Sequence, residues 1–206
     1  MAPSSAACGC RAASRRMELK DTGTFEKRCK RYNVPGHGHE LTFSCFGRLP
    51  LLKNPTFCDY LAEAVRAAQH THRFDVWAYV FMPEHLHLLI YPTQEVYSIS
   101  AILKSIKQSV SRKAINWLRQ RRPDALERLK TGQKHQTLRF WQDGGGYDRN
   151  IFTHAAATNS VRYIHANPVK RGLVQWPQQW YYSSYRQMHG QGDGPLDIHL
   201  NHFPKR

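Results

Sequence analysis

Hydrophobic and polar positions change period several times along the chain, and each change predicts a new element. Residues 40–46 alternate apolar with polar side chains and are rich in aromatic residues, which is typical of a strand. After Asn54-Pro55, apolar residues recur every three and four positions, which predicts a helix of about 15 residues with the proline at its first position. Residues 74–81 predict a second strand.

The alternation of strands and helices continues through the second half of the chain. The turn 82–84 leads into an apolar strand that carries His85-Leu86-His87, so an antiparallel hairpin is predicted. Ser98 is the predicted cap of a helix that extends to about Gln120 and carries a regular apolar stripe. The remaining predicted elements are a short helix from Pro123, a strand at 138–142, a flexible turn at 143–148, and a helix from about Thr153 to Ala166 that Asn167-Pro168 would end.

This pattern indicates an α+β protein with one folded domain. A chain of 206 residues is long enough to bury a hydrophobic core, and one domain of about 150 residues with tails is expected. We divide it into a basic, disordered arm (1–36), the domain (37–190) and a C-terminal tail (191–206). The arm lacks the apolar segment of a secretory signal, and a translation start at Met17 stays open beside Met1.

The charge balance narrows the class of partner. Thirty Lys and Arg residues against 15 Asp and Glu give a net charge of +15, which favours a polyanion such as nucleic acid or an anionic membrane surface. No apolar run approaches the roughly 18 residues that span a bilayer, so no membrane protein is expected. The predicted helix after Ser98 has no acidic residue, whereas solvated faces normally mix both signs. We therefore predict that this helix contacts phosphates, through Lys104, Lys107, Arg112 and Lys113.

The cysteines favour a reducing compartment. There are five of them, none in a CxxC pair, which fits neither a zinc ribbon nor a disulfide framework. They are Cys8, Cys10, Cys29, Cys45 and Cys58. We expect a cytoplasmic protein.

The pair His85 and His87 is the first candidate for chemistry. Alternation along a strand places both imidazoles on one face and turns Leu86 into the core. Two imidazoles at this spacing can bind a divalent metal, although half-buried polar histidines are the other interpretation. Glu84 lies beside the pair, but alternation would turn it away from the metal face.

The last predicted helix supplies a second candidate. Tyr163 and Asn167 are four residues apart, so they share a helix face. A phenol beside a bound metal can attack a phosphorus centre and form a phosphotyrosine. The amide oxygen of Asn167 could complete the metal site, although Tyr163 could also be a half-buried packing residue.

Four short motifs occur in one order at compatible spacing, and together they resemble the single-tyrosine HUH transposases. They are MPEHLHLL at 82–89, FWQ at 140–142, YIHANPVKRGLV at 163–174 and SSY at 183–185. The similarity covers about residues 38–186 and is strongest to the REP-associated branch of these IS200-like enzymes.

The resemblance implies a ferredoxin-like antiparallel sheet with the HUH motif on a central strand and helices packed on it. It also implies cleavage and rejoining of single-stranded or hairpin DNA through a 5′-phosphotyrosine, with Mg²⁺ or Mn²⁺. By position, His85 and His87 match the metal-binding histidines, Tyr163 the nucleophile and Asn167 the third ligand. We add three cations to the predicted DNA-binding set, Arg149, Lys170 and Arg171. A homodimer and association with a bacterial nucleoid are further expectations.

Several alternatives stay open at the level of the sequence. Tyr147 could replace Tyr163 as the nucleophile, or the activity could be lost. A noncatalytic, sequence-specific DNA-binding protein on the same fold would share the charge pattern. An RNA-processing or ribosome-associated protein would explain the charge but not the set of His, Tyr and Asn residues. The completeness of that set favours an enzyme.

Overall fold

The computed structural model describes residues 31–206, and these residues form one four-stranded antiparallel sheet. Most of the predicted arm, including Met17 and three of the five cysteines, lies outside the described residues. The strands are β1 (Gly38–Ser44), β2 (Phe74–Phe81), β3 (His85–Pro92) and β4 (Tyr147–Ile151), in the order β2-β3-β1-β4. The strand that carries the two histidines is therefore central in the sheet.

Two long helices connect the strands in the order β1-α1-β2-β3-α2-β4. They are α1 (Pro55–His72) and α2 (Ile99–Arg121). Both pack on one face of the sheet, where they cover the side chains of Leu86, Leu88 and Ile90. This order and this layering are ferredoxin-like, so the predicted fold class is confirmed.

The opposite face of the sheet is covered by α3 (His154–Lys170), which forms a smaller core with β2. Ile164 of this helix packs near Val80 and Leu89. The face that carries His85 and His87 is thus enclosed between the sheet and α3. The remaining helical elements are α4 (Tyr185–Met188) and 3₁₀ turns at Phe46–Arg48, Leu51–Lys53, Pro123–Leu129 and Pro177–Gln179.

Side-chain caps fix the start of each long helix. Asn54 Oδ1 accepts a hydrogen bond from the backbone of Thr56 at 3.0 Å, and Pro55 occupies the first turn of α1. Ser98 Oγ accepts from the backbone of Ala101 at 3.2 Å at the start of α2. The predicted caps of α1 and α2 are therefore confirmed, as is the β2-β3 hairpin.

Two predictions about the second half of the chain are wrong. Residues 138–142 form no named strand and contribute only isolated bridges, one of them between Trp141 and Cys45. The fourth strand lies instead at Tyr147–Ile151, which overlaps the predicted flexible turn. In addition, α3 does not end before Asn167-Pro168 but continues through the proline to Lys170.

The segment 191–206, set apart as a tail, packs against the sheet. The hydroxyl of Tyr79 donates to the carbonyl of Leu196 and accepts from its amide, both at 3.2 Å. Leu196 is buried, and the ring of Phe203 lies 5.1 Å from that of Trp77. Among residues 31–206, no helix is long and apolar enough to cross a membrane.

Candidate active site

The strand β3 presents both histidines on the face that α3 covers. Their Nε2 atoms lie 3.2 Å apart, with the ring planes nearly perpendicular. Both side chains are buried. Alternation along β3 explains the shared face, as the sequence predicted, because Leu86 between them points into the larger core.

Neighbouring side chains lie beside the other nitrogen of each ring. Thr42 lies opposite His87 in the β1-β3 register, and its Oγ1 is 2.8 Å from Nδ1 of that histidine. Glu84 Oε1 lies 3.3 Å from Nδ1 of His85. The prediction that Glu84 turns away is wrong, because β3 begins only at His85 and strand alternation does not extend to the turn residue before it.

The electrostatics of the site keep both imidazoles neutral at pH 7. Burial lowers the pKa of His87 to about 4, with a further contribution from His85. Burial also lowers the pKa of His85, against the opposing effect of Glu84. Burial alone would raise the pKa of Glu84, but the adjacent His85 and Arg171 outweigh it and lower that pKa. Neutral imidazoles are the form that binds a metal ion.

The helix α3 brings Tyr163 against this pair. The rings of Tyr163 and His87 meet edge to face, with centroids 5.4 Å apart. The tyrosine is 44% exposed, so its ring is packed while part of it stays open to solvent. Lys170 Nζ lies 5.2 Å from the centre of the same ring. The structure therefore brings Tyr163 close to the two histidines, although it lies far from them in sequence.

Asn167 lies one helical turn after Tyr163 and is buried. Its Nδ2 donates a hydrogen bond to the backbone carbonyl of Tyr163 at 2.9 Å. Because the amide nitrogen is engaged in this way, the amide oxygen is the group that could contact a ligand. Its predicted role as a third metal ligand stays a prediction.

Two contacts anchor the end of α3 to the rest of the site. Arg171, directly after the helix, pairs with Glu84 at 2.7 Å. His165 Nε2 lies 2.8 Å from Ser184 Oγ, which also accepts a hydrogen bond from the backbone of Tyr79 in β2. The YIHANP and SSY motifs therefore meet in space, and their shared contact fixes the helix that carries Tyr163.

A groove of about 410 Å³ opens between the sheet and Tyr163. Its lining residues are Glu40, Thr42, His87, Tyr147, Arg149 and Tyr163. Tyr147, the alternative nucleophile, lies in the same groove, but burial raises the pKa of its hydroxyl and so opposes formation of the phenolate. Sequence reasoning missed Glu40 and Thr42. Their alternate positions in β1 were visible, but the register that sets them beside the histidines was not.

The geometry of the histidine pair fits a divalent metal ion. Two ligand atoms at about 2.1 Å from an octahedral ion lie about 3.0 Å apart, close to the observed 3.2 Å between the Nε2 atoms. Within residues 31–206, no group of three or more His, Cys, Asp or Glu side chains is arranged for a metal. A complete ligand set would therefore need an amide such as that of Asn167, or oxygen atoms from water and substrate.

The predicted DNA-binding cations lie in two separate places. Lys104, Lys107, Arg112 and Lys113 are on α2, across the sheet from the histidines. Lys104 and Arg112 are exposed, and Lys113 pairs with Glu63 at 2.6 Å. Lys107 is more enclosed, because its amine donates to the carbonyl of Gly144 and burial lowers its pKa to about 8. Arg149, Lys170 and Arg171 lie on the side of the groove.

Comparison with known proteins assigns the chain to a family. The family model "Transposase IS200 like" matches residues 37–167. A Haemophilus influenzae protein named "Putative REP-associated tyrosine transposase" is 26% identical over 132 residues, 63% of this chain and 70% of that protein. A solved structure of a REP-associated tyrosine transposase bound to a REP hairpin aligns with a TM-score of 0.63 at 19% identity, over 88% of this chain and 98% of that one. The family match spans most of the chain and includes every residue of the Tyr163 groove, so this protein belongs to the IS200-like transposase family.

Proposed function

We propose that this transposase cleaves and rejoins single-stranded DNA at a hairpin or repeat, with Tyr163 as the nucleophile. The observation that carries the proposal is the contact between the rings of Tyr163 and His87, which sets a phenol beside a pair of neutral imidazoles. A tyrosine placed only for packing would not need a buried histidine pair with converging Nε2 atoms at its edge.

In the proposed reaction, the Tyr163 hydroxyl attacks the scissile phosphorus in line with the 3′ oxygen. The new bond joins the tyrosine oxygen to phosphorus, and the bond from phosphorus to the 3′ oxygen breaks. The phenol loses its proton and the departing 3′ oxygen gains one, so the products are a 5′-phosphotyrosine and a free 3′-hydroxyl. Attack by a 3′-hydroxyl on the phosphotyrosine reverses these changes and rejoins a strand.

His85, His87 and the amide oxygen of Asn167 would hold Mg²⁺ or Mn²⁺. When bound, such an ion stabilises the negative charge that develops on the phosphate oxygens. The protein's own part is to keep both imidazoles neutral and directed at one point. Burial favours the neutral form, and the hydrogen bond between Thr42 and Nδ1 of His87 orients that ring, while Glu84 lies beside Nδ1 of His85.

The proposed partner is single-stranded or hairpin DNA. Support comes from the net charge of +15 and from the REP hairpin bound by the structural relative. The exposed Lys104 and Arg112 would contact the sugar-phosphate backbone on one side of the molecule. Lys170 and Arg171 would contact the strand that enters the groove.

The decisive experiment replaces Tyr163 by Phe. The full-length protein is incubated with Mn²⁺ and a labelled single strand that carries the repeat flanking its own gene, and a protein–DNA adduct that survives denaturation is measured. We expect the wild type to form the adduct and Tyr163→Phe to form none, with DNA affinity changed by less than about threefold because only a hydroxyl is lost.

Tyr147→Phe is the matched control, since this tyrosine lines the same groove. It should keep the ability to form the adduct. An adduct with Tyr163→Phe that disappears in Tyr147→Phe would transfer the role of nucleophile to Tyr147. The absence of any adduct with the wild type, despite binding of the strand, would favour the noncatalytic DNA-binding alternative.

A further inference from the structure

Glu40 is a buried carboxylate in the groove that is proposed to accept a phosphodiester. It is 5% exposed and lies on β1, two positions before Thr42. An unpaired carboxylate is costly to bury, and it would repel a phosphate in the same groove. Its presence in this position therefore requires a compensating partner.

That partner is Arg149, directly opposite Glu40 in the β1-β4 register. Its Nη2 contacts Glu40 Oε2 at 2.5 Å and also lies 2.9 Å from Ser160 Oγ. The hydroxyl of Ser160 donates to the same carboxylate oxygen at 2.9 Å. One guanidinium nitrogen is thus held by groups from β1 and α3, while Arg149 itself belongs to β4.

The rest of the guanidinium remains available to a ligand. Both contacts use Nη2, and the side chain of Arg149 is 47% exposed. The N–H groups on Nε and Nη1 are not used in these two contacts, so Nη1 can donate to an oxygen of a phosphate. A guanidinium that is already held in place loses less conformational freedom when it binds than a free surface lysine does.

The position of this guanidinium points to the reacting phosphate. Arg149 is the only cation among the six residues that line the groove with Tyr163 and His87. Ser160, which contacts it, precedes Tyr163 by about one turn of α3. The guanidinium and the proposed nucleophile are therefore fixed to the same helix.

We infer that Arg149 is a catalytic residue that binds a nonbridging oxygen of the scissile phosphate, and that Glu40 and Ser160 are its positioning residues. This inference rests on the proposed function of Tyr163. It also explains why a carboxylate is buried in a site for a polyanion. The negative charge of Glu40 repels phosphate, but its contact orients Arg149, the cation that lines the groove.

The test separates the rate of adduct formation from DNA affinity. Single-turnover rates are measured with saturating repeat DNA and Mn²⁺, and dissociation constants are measured in a Tyr163→Phe background. We expect Arg149→Ala to slow adduct formation about 10²- to 10³-fold, as for the loss of other donors to a developing oxyanion. The dissociation constant should rise by less than about fivefold. Arg149→Lys should recover little of the rate, because an ammonium lacks the planar group that can contact Glu40 and Ser160 with one nitrogen and a phosphate with another.

Glu40→Gln gives a result that a structural role alone would not. Removal of the negative charge should slow adduct formation about tenfold, because the guanidinium is held less firmly. It should also tighten DNA binding about two- to threefold, because a charge that repels phosphate is lost. Opposite changes in rate and affinity are the signature of a positioning residue in this groove.

Arg162→Ala is the matched control, since Arg162 precedes Tyr163 on α3 and is exposed. It removes the same charge and should change the rate by less than about threefold. Thermal unfolding midpoints of all variants are compared, and Arg149→Gln, which can still donate to Glu40, replaces Arg149→Ala if the alanine variant does not fold.

Equal rates for the wild type and Arg149→Ala would overturn the assignment of Arg149 while leaving that of Tyr163 intact. An equal loss of rate and affinity would also overturn it, because Arg149 would then be an ordinary backbone contact. The absence of an adduct with the wild type would instead overturn the proposed function, and the role of Arg149 with it.

Discussion

The contact between Thr42 and His87 shows how a single residue on a neighbouring strand can direct a candidate ligand. Thr42 Oγ1 engages Nδ1 of the ring, so Nε2 is the atom that faces His85. Second contacts of this kind hold the ring orientation of metal-binding histidines and raise their basicity. Thr42 therefore helps to orient His87, although it carries no charge.

We predict that Thr42→Val weakens binding of Mn²⁺ to the free protein by about tenfold or more, within the usual range for loss of such a contact. Thr42→Ser keeps the hydroxyl and should retain most of the affinity. Titration calorimetry or the electron paramagnetic resonance signal of free Mn²⁺ measures the constant without any DNA. Equal affinities for the wild type and the valine variant would contradict a role for Thr42 in orienting His87.

Local sequence motifs identified several residues of the candidate site. The pairing register of the strands explains the residues that the motifs missed. His85, His87, Tyr163 and Asn167 were singled out because each lies in a short pattern with a chemical meaning, and their catalytic and metal-binding roles stay predictions. Glu40 and Thr42 carry no such pattern. Their place in the groove comes from the pairing of β1 with β3 and β4, which one-dimensional alternation cannot specify.

The helix α3 is the element that determines whether the site exists. It carries Tyr163 on the groove side and is anchored behind it by His165, which is buried against Ser184. Burial lowers the pKa of His165 to about 4, with His189 contributing. Histidine in the unfolded chain has a pKa of about 6.5. Between about pH 4 and pH 6.5, the unfolded chain therefore binds a proton at His165 that the folded protein does not bind.

Because the pKa of His165 is lowered by folding, we predict that the free energy of unfolding falls as the pH drops from about 6.5 towards 4. The contribution of His165 is on the order of 3 kcal/mol. The buried His85 and His87 act in the same direction. Urea unfolding of the metal-free protein between pH 4 and 7 measures the slope. His165→Gln should reduce the number of protons taken up on unfolding by about one. Parallel curves of stability against pH for the two proteins would contradict the lowered pKa of His165.

The misplaced fourth strand shows where element prediction failed. Residues 138–142 have the composition of a strand, but Phe140 and Trp141 use their side chains to fill the core from a loop. The true β4 is polar because its side chains form a hydrogen bond and an ion pair at the sheet edge. Asp148 is hydrogen-bonded to His39, and Arg149 forms an ion pair with Glu40. These partners lie about a hundred residues away, so tertiary contacts outweighed local propensity.

On the scale of the whole molecule, the two faces of the sheet have different tasks. The face under α1 and α2 holds the larger apolar core, whereas the face under α3 combines a smaller core with the polar groove. The last part of the chain, from residue 191 onward, contributes to both through Leu196 and Phe203. Its composition is polar enough to suggest a tail, so its packing was not predicted.

We predict that Leu196→Ala lowers the free energy of unfolding by about 2–4 kcal/mol, the usual cost of truncating a fully buried leucine. Equilibrium urea unfolding measures this value. Leu200→Ala is a suitable control because Leu200 is 43% exposed, and it should cost less than about 1 kcal/mol. Equal, small losses for both variants would mean that the end of the chain does not contribute to the core in solution.

The register that joins β1 to β4 has a consequence for the protein during its synthesis. The ribosome releases the histidine hairpin early, whereas Arg149 and Tyr163 emerge much later. A nascent chain can therefore form the β2-β3 hairpin while it still lacks the residue proposed to attack DNA. The groove is complete only after α3 has left the ribosome, so an interrupted translation product would carry the two histidines without the proposed nucleophile.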